Sequence, residues 1–281
     1  MASEVRQVAI YGKGGIGKST ICCNVAAALA GRGLKVFQIG CSPKVDSTSY
    51  LNRGTLVRPT IMDQVRARGA TKEALQECIV QGYGGILLAE SGGPAPGEGC
   101  AGRGAYNALE YIRNFRFIDD LGVNFLIYDV IGDVVCGGFA QPIRAGYAKE
   151  IYIVTSGELM SIYSANNVFI AIQEMCTALD AEVRVGGLIN NMRGVEQEES
   201  LVGEFAERTG VSVLGHIPRD GIVQEGERAG GTVIEKRPDS AQAGHYRKLA
   251  ENLLCNDRLD IPKPMELEDI MVLLRKYQTP G

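Results

Sequence analysis

Residues 12–19 read Gly12-Lys13-Gly14-Gly15-Ile16-Gly17-Lys18-Ser19. A β-branched run, Val5 to Tyr11, precedes them, and the apolar residues from Ser19 to Gly31 that follow keep helical spacing. A strand that empties into a glycine loop and then a helix is the context in which G-x-x-x-x-G-K-S/T carries chemical meaning. Gly12, Gly14, Gly15 and Gly17, with Ile16 between them, let backbone N–H groups close around a β-phosphate. Lys18 reaches the β/γ oxygens, Ser19 offers a hydroxyl to Mg²⁺, and the helix N-terminus adds its dipole. Lys13 is a second lysine at the start of the loop. It is either solvated or, as in one subgroup of P-loop ATPases, able to reach a partner subunit's nucleotide.

The rest of the chain continues the alternation. Apolar strands are expected at Lys35–Ile39, Ile86–Ala89, Asn124–Asp129, Glu150–Val154, Arg184–Ile189 and Ser212–Ile217. Helical patterns are clearest at Thr71–Val80, Ala105–Phe115, Met160–Leu179 and Ser240–Leu254. This predicts α/β architecture, a single-domain P-loop NTPase fold whose mainly parallel sheet carries helices on both faces. No linker divides residues 1–281, and 261–281 reads as a C-terminal docking segment that starts after Pro262 and Pro264. Asp129 closes its strand at the sheet edge where ligands of open α/β sheets collect, which suits it to the Mg²⁺ shell. Asp133 can orient or deprotonate an attacking water and Asp46 can approach the metal, unless these aspartates serve as turn or cap residues.

Composition narrows the partners. With 29 Lys+Arg against 33 Asp+Glu, the net charge of -4 offers no basic field for nucleic acid or an anionic membrane. No apolar run approaches the ~18 residues of a membrane span, and the N-terminus has no signal-like pattern, so a cytoplasmic protein is expected. In a reducing compartment the eight cysteines are more plausible as core residues, ligands or reactive thiols than as disulfides. Cys22, Cys23, Cys78, Cys176 and Cys255 fall in helical patterns and read as small buried hydrophobes, and Cys41 as structural too. Cys100 and Cys136 differ, because glycines surround both: Gly97-Glu98-Gly99-Cys100-Ala101-Gly102-Arg103-Gly104 and Gly132-Asp133-Val134-Val135-Cys136-Gly137-Gly138. Glycine loops bring backbone amides close to sulfur, and a two-fold dimer doubles two thiolates to the four that a cubane cluster requires. Spacing alone leaves a metal-free reading open.

These segments, together with Ile10 to Thr20, Glu90-Ser91-Gly92-Gly93-Pro94, Tyr128 to Ala140, Glu150 to Val154 and Pro218-Arg219-Asp220, resemble the nitrogenase iron protein and its relatives. That family comprises the ATP-dependent reductase components of nitrogenase and nitrogenase-like enzymes. The resemblance implies a homodimer that binds MgATP, holds one 4Fe–4S cluster between subunits and passes single electrons to a larger catalytic component. A low-potential donor such as ferredoxin or flavodoxin would reload it. By that resemblance Cys100 and Cys136 hold the cluster, while Lys13, Lys18, Ser19, Thr20, Lys44, Asp46, Asp129 and Asp133 serve phosphates, Mg²⁺ or water. Asn191, Pro218, Arg219 and Asp220 match the adenine side, and Arg103 the docking face, which ADP-ribosylation switches off in some relatives.

The chain departs from the family pattern at Ser42, where a carboxylate is usual, at Cys22-Cys23, at Gln141 and at Glu98. These departures favour a nitrogenase-like reductase of the methylthio-alkane, tetrapyrrole or Ni-sirohydrochlorin type over the iron protein of a true dinitrogenase. A cluster-free dimeric partitioning or positioning ATPase is the competing class, since it shares the Lys13/Lys18 loop.

Overall fold

The computed structural model describes residues 5–93, 101–130, 132, 146–179 and 181–277. Eight strands form one sheet: β1 (Arg6–Tyr11), β2 (Val36–Cys41), β3 (Val80–Gln81), β4 (Leu87–Glu90), β5 (Phe125–Val130), β6 (Glu150–Thr155), β7 (Arg184–Asn191) and β8 (Val213–Ile217). Their order is β3-β4-β2-β5-β1-β6-β7-β8, and every pairing is parallel except the short β3–β4 edge. β2 and β5 are buried along their whole length, as strands covered on both faces must be.

The two-residue period of β1 shows how the covering works. Val8 and Ile10 point into one core with helix α1 (Lys18–Ala30), whereas Ala9 and Tyr11 point into the other. The α/β expectation therefore holds, and its parallel register puts the C-terminal ends of β1, β2, β4 and β5 along one edge.

Some expected elements shift. Residues 71–80 do not form one helix: Thr71 caps a short helix, Lys72–Gln76, by accepting from the Ala74 N–H at 3.2 Å, and Val80–Gln81 then pairs with β4. Cys78 consequently lies in the turn, outside any helix, and its side chain is fully buried. Helices Ile61–Arg68, Glu198–Thr209 and Gly221–Arg228 add to the expected set, and the first and last, at eight residues each, are too short to give a clear helical period. Helix Leu267–Tyr277 buries Ile270, Leu273 and Leu274 in the core shared with helices Leu159–Leu179 and Glu198–Thr209. Lys276 and Tyr277 both bond Glu204 at 2.5 Å, so this terminal helix docks on its own body.

Candidate functional site

The phosphate loop leaves β1 and turns into α1 through Gly17, whose φ of +99° is left-handed. A Cβ there would sit 2.5 Å from the Asn191 amide, so both conformation and space demand glycine. The same Asn191, at the end of β7, donates Nδ2 to the Ile16 carbonyl at 2.6 Å. Beside the loop opens a cleft of about 300 Å³ lined by Lys18, Ser19, Lys44, Asp46 and Asp129 among others. A second cleft of about 230 Å³ shares Gly15, Gly17 and Thr20 with it and reaches Asn191, Pro218, Arg219 and Asp220. Residues assigned separately to phosphate and to base thus line two contiguous hollows.

Asp129 is the electrostatic centre. It is 3% exposed, and its Oδ2 accepts from the hydroxyls of Ser19 and Ser47, each at 2.5 Å. Burial pushes its carboxyl up, while Lys18 and the two hydroxyls pull it back. Lys18 is itself 8% exposed and donates to the Lys13 carbonyl at 3.2 Å. A P-loop serine hydrogen-bonded to a strand-end aspartate is the usual donor set for nucleotide-bound Mg²⁺, so these residues fit MgATP. Lys13 is half-buried, and Lys44, Asp46 and Arg103 are exposed. Asp133, Cys100 and Cys136 lie outside the described residues.

Three contributors were not legible as site residues. The Arg193 guanidinium reaches the Gly15 carbonyl. Glu198 accepts from the N–H groups of Gly157, Arg193, Gly194 and Val195 at 2.7–3.1 Å and so shapes the loop that carries Arg193. Neither belongs to a local motif, since the groups that Glu198 gathers come from two separate loops.

The third is Glu90, fully buried at the end of β4, with Oε1 accepting from Thr48. Burial pushes its carboxyl from 4.5 up to about 7. The Thr48 bonds oppose this, and the charges of Asp129 and Asp46 add to it. A carboxyl whose pKa is raised on folding contributes stability in full below its unfolded value, and that stability is lost as pH rises through about 7. In the nucleotide-free protein Glu90→Gln is therefore expected to flatten the stability profile. Urea melts at about pH 4 and pH 8 should show up to about 3 kcal/mol less loss than in wild type. An unchanged slope would mean that Glu90 ionises freely.

The fold and this cleft define a P-loop nucleotide-binding protein of the α/β class. Among solved structures the chain is similar to the cell division ATPase MinD of Pyrococcus furiosus, with a TM-score of 0.68 and 18% identity over 90% of this chain and 99% of that one. It is similarly close to a ParA family ATPase of Chlorobium tepidum TLS, with a TM-score of 0.68 and 21% identity over 89% of this chain and 100% of that one. At such identities the likeness concerns fold alone.

The sequence goes further. A model of the 4Fe-4S iron sulfur cluster binding proteins, NifH/frxC family, matches residues 6–279, and the chain belongs to that family. It is 48% identical to a nitrogenase iron protein of Methanospirillum hungatei JF-1 over 97% of this chain and 96% of that one. It is 46% identical to nitrogenase iron protein 2 of Methanothermobacter thermautotrophicus over 99% of this chain and 100% of that one. Membership makes it an ATP-hydrolysing electron-transfer protein that binds a 4Fe–4S cluster and MgATP, works as a dimer and serves a catalytic partner component.

Proposed function

We propose that this chain is the reductase component of a nitrogenase-like enzyme, of the methylthio-alkane, tetrapyrrole or Ni-sirohydrochlorin reductase type. In that role it couples MgATP hydrolysis to one-electron transfer from a cluster that bridges two copies of the chain. The observation that carries the ATP-coupled reductase reading is the joining of the P-loop site, with Ser19 on Asp129, to a NifH/frxC match over residues 6–279, and the nitrogenase-like type rests on the departures at Ser42, Cys22-Cys23, Gln141 and Glu98. When bound, the cluster supplies a one-electron couple, oxidised by the catalytic partner and reduced again by a low-potential donor such as ferredoxin or flavodoxin. The chain's own residues supply the switch. Lys13, Lys18 and Ser19 receive phosphates and Mg²⁺, with Gly12 to Thr20 as cradle and Lys44 and Asp46 on the cleft wall. Asn191, Pro218, Arg219 and Asp220 receive the base, and Asp133 orients the attacking water. Arg103 faces the catalytic partner, the whole chain acts as one domain, and it works in the cytoplasm.

Cys100 and Cys136 are the ligands in this reading. Six other cysteines are described, and burial pushes the thiols of Cys22, Cys23 and Cys41 up, away from the thiolate a cluster requires. Among the described residues no group of three or more His, Cys, Asp or Glu is placed to hold a metal. β4 and β5, whose chains run on to Cys100 and Cys136, end on the same edge of the sheet.

The iron protein of a true dinitrogenase is the second reading, favoured by the names of the relatives at 48% and 46% identity. Among the described residues no helix is long and apolar enough to cross a membrane. Anaerobic purification tests the common part. A brown dimer with about four irons is expected, and a colourless, iron-free dimer with intact ATPase activity would instead favour a positioning ATPase. Reconstitution with candidate catalytic components, scored by electron transfer, separates the first two readings.

A further inference from the structure

Residues 42–48 form one wall of the nucleotide cleft, through Ser42, Lys44 and Asp46. Within that wall Val45 is buried at a φ of +60°, a left-handed conformation that a β-branched side chain resists. Strain of this kind, of order 1–3 kcal/mol, persists only where the surroundings hold the chain. Three contacts hold it here. Ser47 Oγ donates to Asp129 at 2.5 Å, and Gln38 Nε2 donates to the Ser47 carbonyl at 3.1 Å. Thr48 gives both its N–H, at 2.8 Å, and its hydroxyl, at 2.7 Å, to Glu90 Oε1. The first two lead back to strands already at the site, whereas the third leads away from it, to the end of β4.

Glu90 is costly to keep where it is. Its Oε2 has no hydrogen-bond partner among the described residues, and a Cβ on Gly40 would lie 2.0 Å from that oxygen. The residues after it are bound into the same body. Ser91 N–H donates to the Gly40 carbonyl at 2.8 Å, and Met62 N–H to the Ser91 carbonyl at 3.1 Å. A methyl on Gly92 would meet Thr60 Oγ1 at 2.3 Å, and one on Gly93 would meet Pro43 Cβ at 2.8 Å. Packing this close leaves no slack, so displacement of one segment is passed to the other.

We propose that Glu90 is a positioning residue that makes Ser91–Gly93 follow loop 42–48 when nucleotide enters the cleft. This route is distinct from one along β5, where Asp129 holds Ser19 and Gly132 packs against the Gly12 carbonyl. By sequence the chain continues from Gly93 to Cys100, so the two routes lead to different cysteines. That consequence rests on the ligand reading above, while the coupling itself needs only MgATP and the folded chain.

The test is amide hydrogen exchange at residues 88–93 of the anaerobically purified protein, with and without MgATP. Wild type is expected to change its exchange rate there by ~10-fold or more on adding MgATP. Glu90→Met keeps the bulk but removes the acceptor, and should reduce the response to under ~2-fold in protein that calorimetry shows to be saturated with MgATP. Glu90→Gln retains an acceptor oxygen for Thr48 and should restore the response. Thr48→Val removes the hydroxyl donor but leaves the Thr48 N–H on Glu90, so it should give an intermediate response, and it serves if Glu90→Met does not fold. Combined with Glu90→Met it should add nothing, as partners in one contact behave. A full response in Glu90→Met or Thr48→Val, or its loss in Glu90→Gln, overturns the proposal. Iron content, measured on the same wild-type sample, reports separately on the cluster reading.

Discussion

Replacing Cys100 or Cys136 by alanine is expected to empty the dimer of iron, whereas Cys78→Ala and Cys176→Ala leave it full. The contrast follows from what each sulfur does. Cys78 is fully buried, its Sγ donates to the Thr60 carbonyl at 3.5 Å, and burial pushes its thiol up to about 11. Cys176 donates to the Val183 carbonyl at 3.1 Å from helix Leu159–Leu179. Trimming either costs packing of order 1–2 kcal/mol, which a stable dimer tolerates. In the proposed site symmetry doubles each ligand, so a single substitution removes half of the cluster's thiolates and the loss should be all-or-none. Iron per dimer and visible absorbance read it directly. Full iron in Cys100→Ala or Cys136→Ala would refute the ligand assignment, and half occupancy would refute the shared geometry.

How much of this was legible in the sequence depended on whether the information was local. The phosphate loop, its strand and its helix are contiguous, so their pattern predicts their order, with the helix expected over 19–31 and observed at Lys18–Ala30. Asp129 is legible because a carboxylate at the end of an apolar strand is a local signature. The register that puts it 2.5 Å from Ser19 could not be read, because it depends on β5 inserting between β1 and β2. Asn191 was identified through resemblance alone. What makes it a neighbour of Gly17 is the placement of β7 two strands from β1, which is long-range pairing. Glu90 stood in a recognised segment without a role, because its partner Thr48 and its neighbour Gly40 come from a different strand and loop. The helix expected at 71–80 fails for the opposite reason: a local helical pattern yields to tertiary pairing where Val80 and Gln81 meet Leu88 and Leu87.

The second large effect expected is on how fast an external chelator strips iron from the reduced protein. A Cβ on Gly132 would lie 1.7 Å from the Gly12 carbonyl and 3.0 Å from Lys13 Cα, so the chain leaving β5 rests directly on the start of the phosphate loop. Asp129, two residues after Ile127 on that strand, is bound to Ser19 on the other side of the loop. Movement of the loop or of Ser19 on filling the cleft therefore reaches Gly132, and by sequence the chain runs from there to Cys136. A two-state arrangement shifts only by the difference in nucleotide affinity between its states. A coupling of ~1.4 kcal/mol already gives ~10-fold, so iron removal with MgATP should exceed that with MgADP, or with neither, by about this factor or more. Lys18→Gln should keep its iron but lose the acceleration, because Lys18 is the buried cation beside Asp129 that the proposed function places on the phosphates. Equal rates under all three conditions in wild type would remove the mechanical link. If the link stands, reciprocity fixes the behaviour of the complex: a catalytic partner that prefers the MgATP-bound form must tighten MgATP by the same factor by which MgATP tightens the partner.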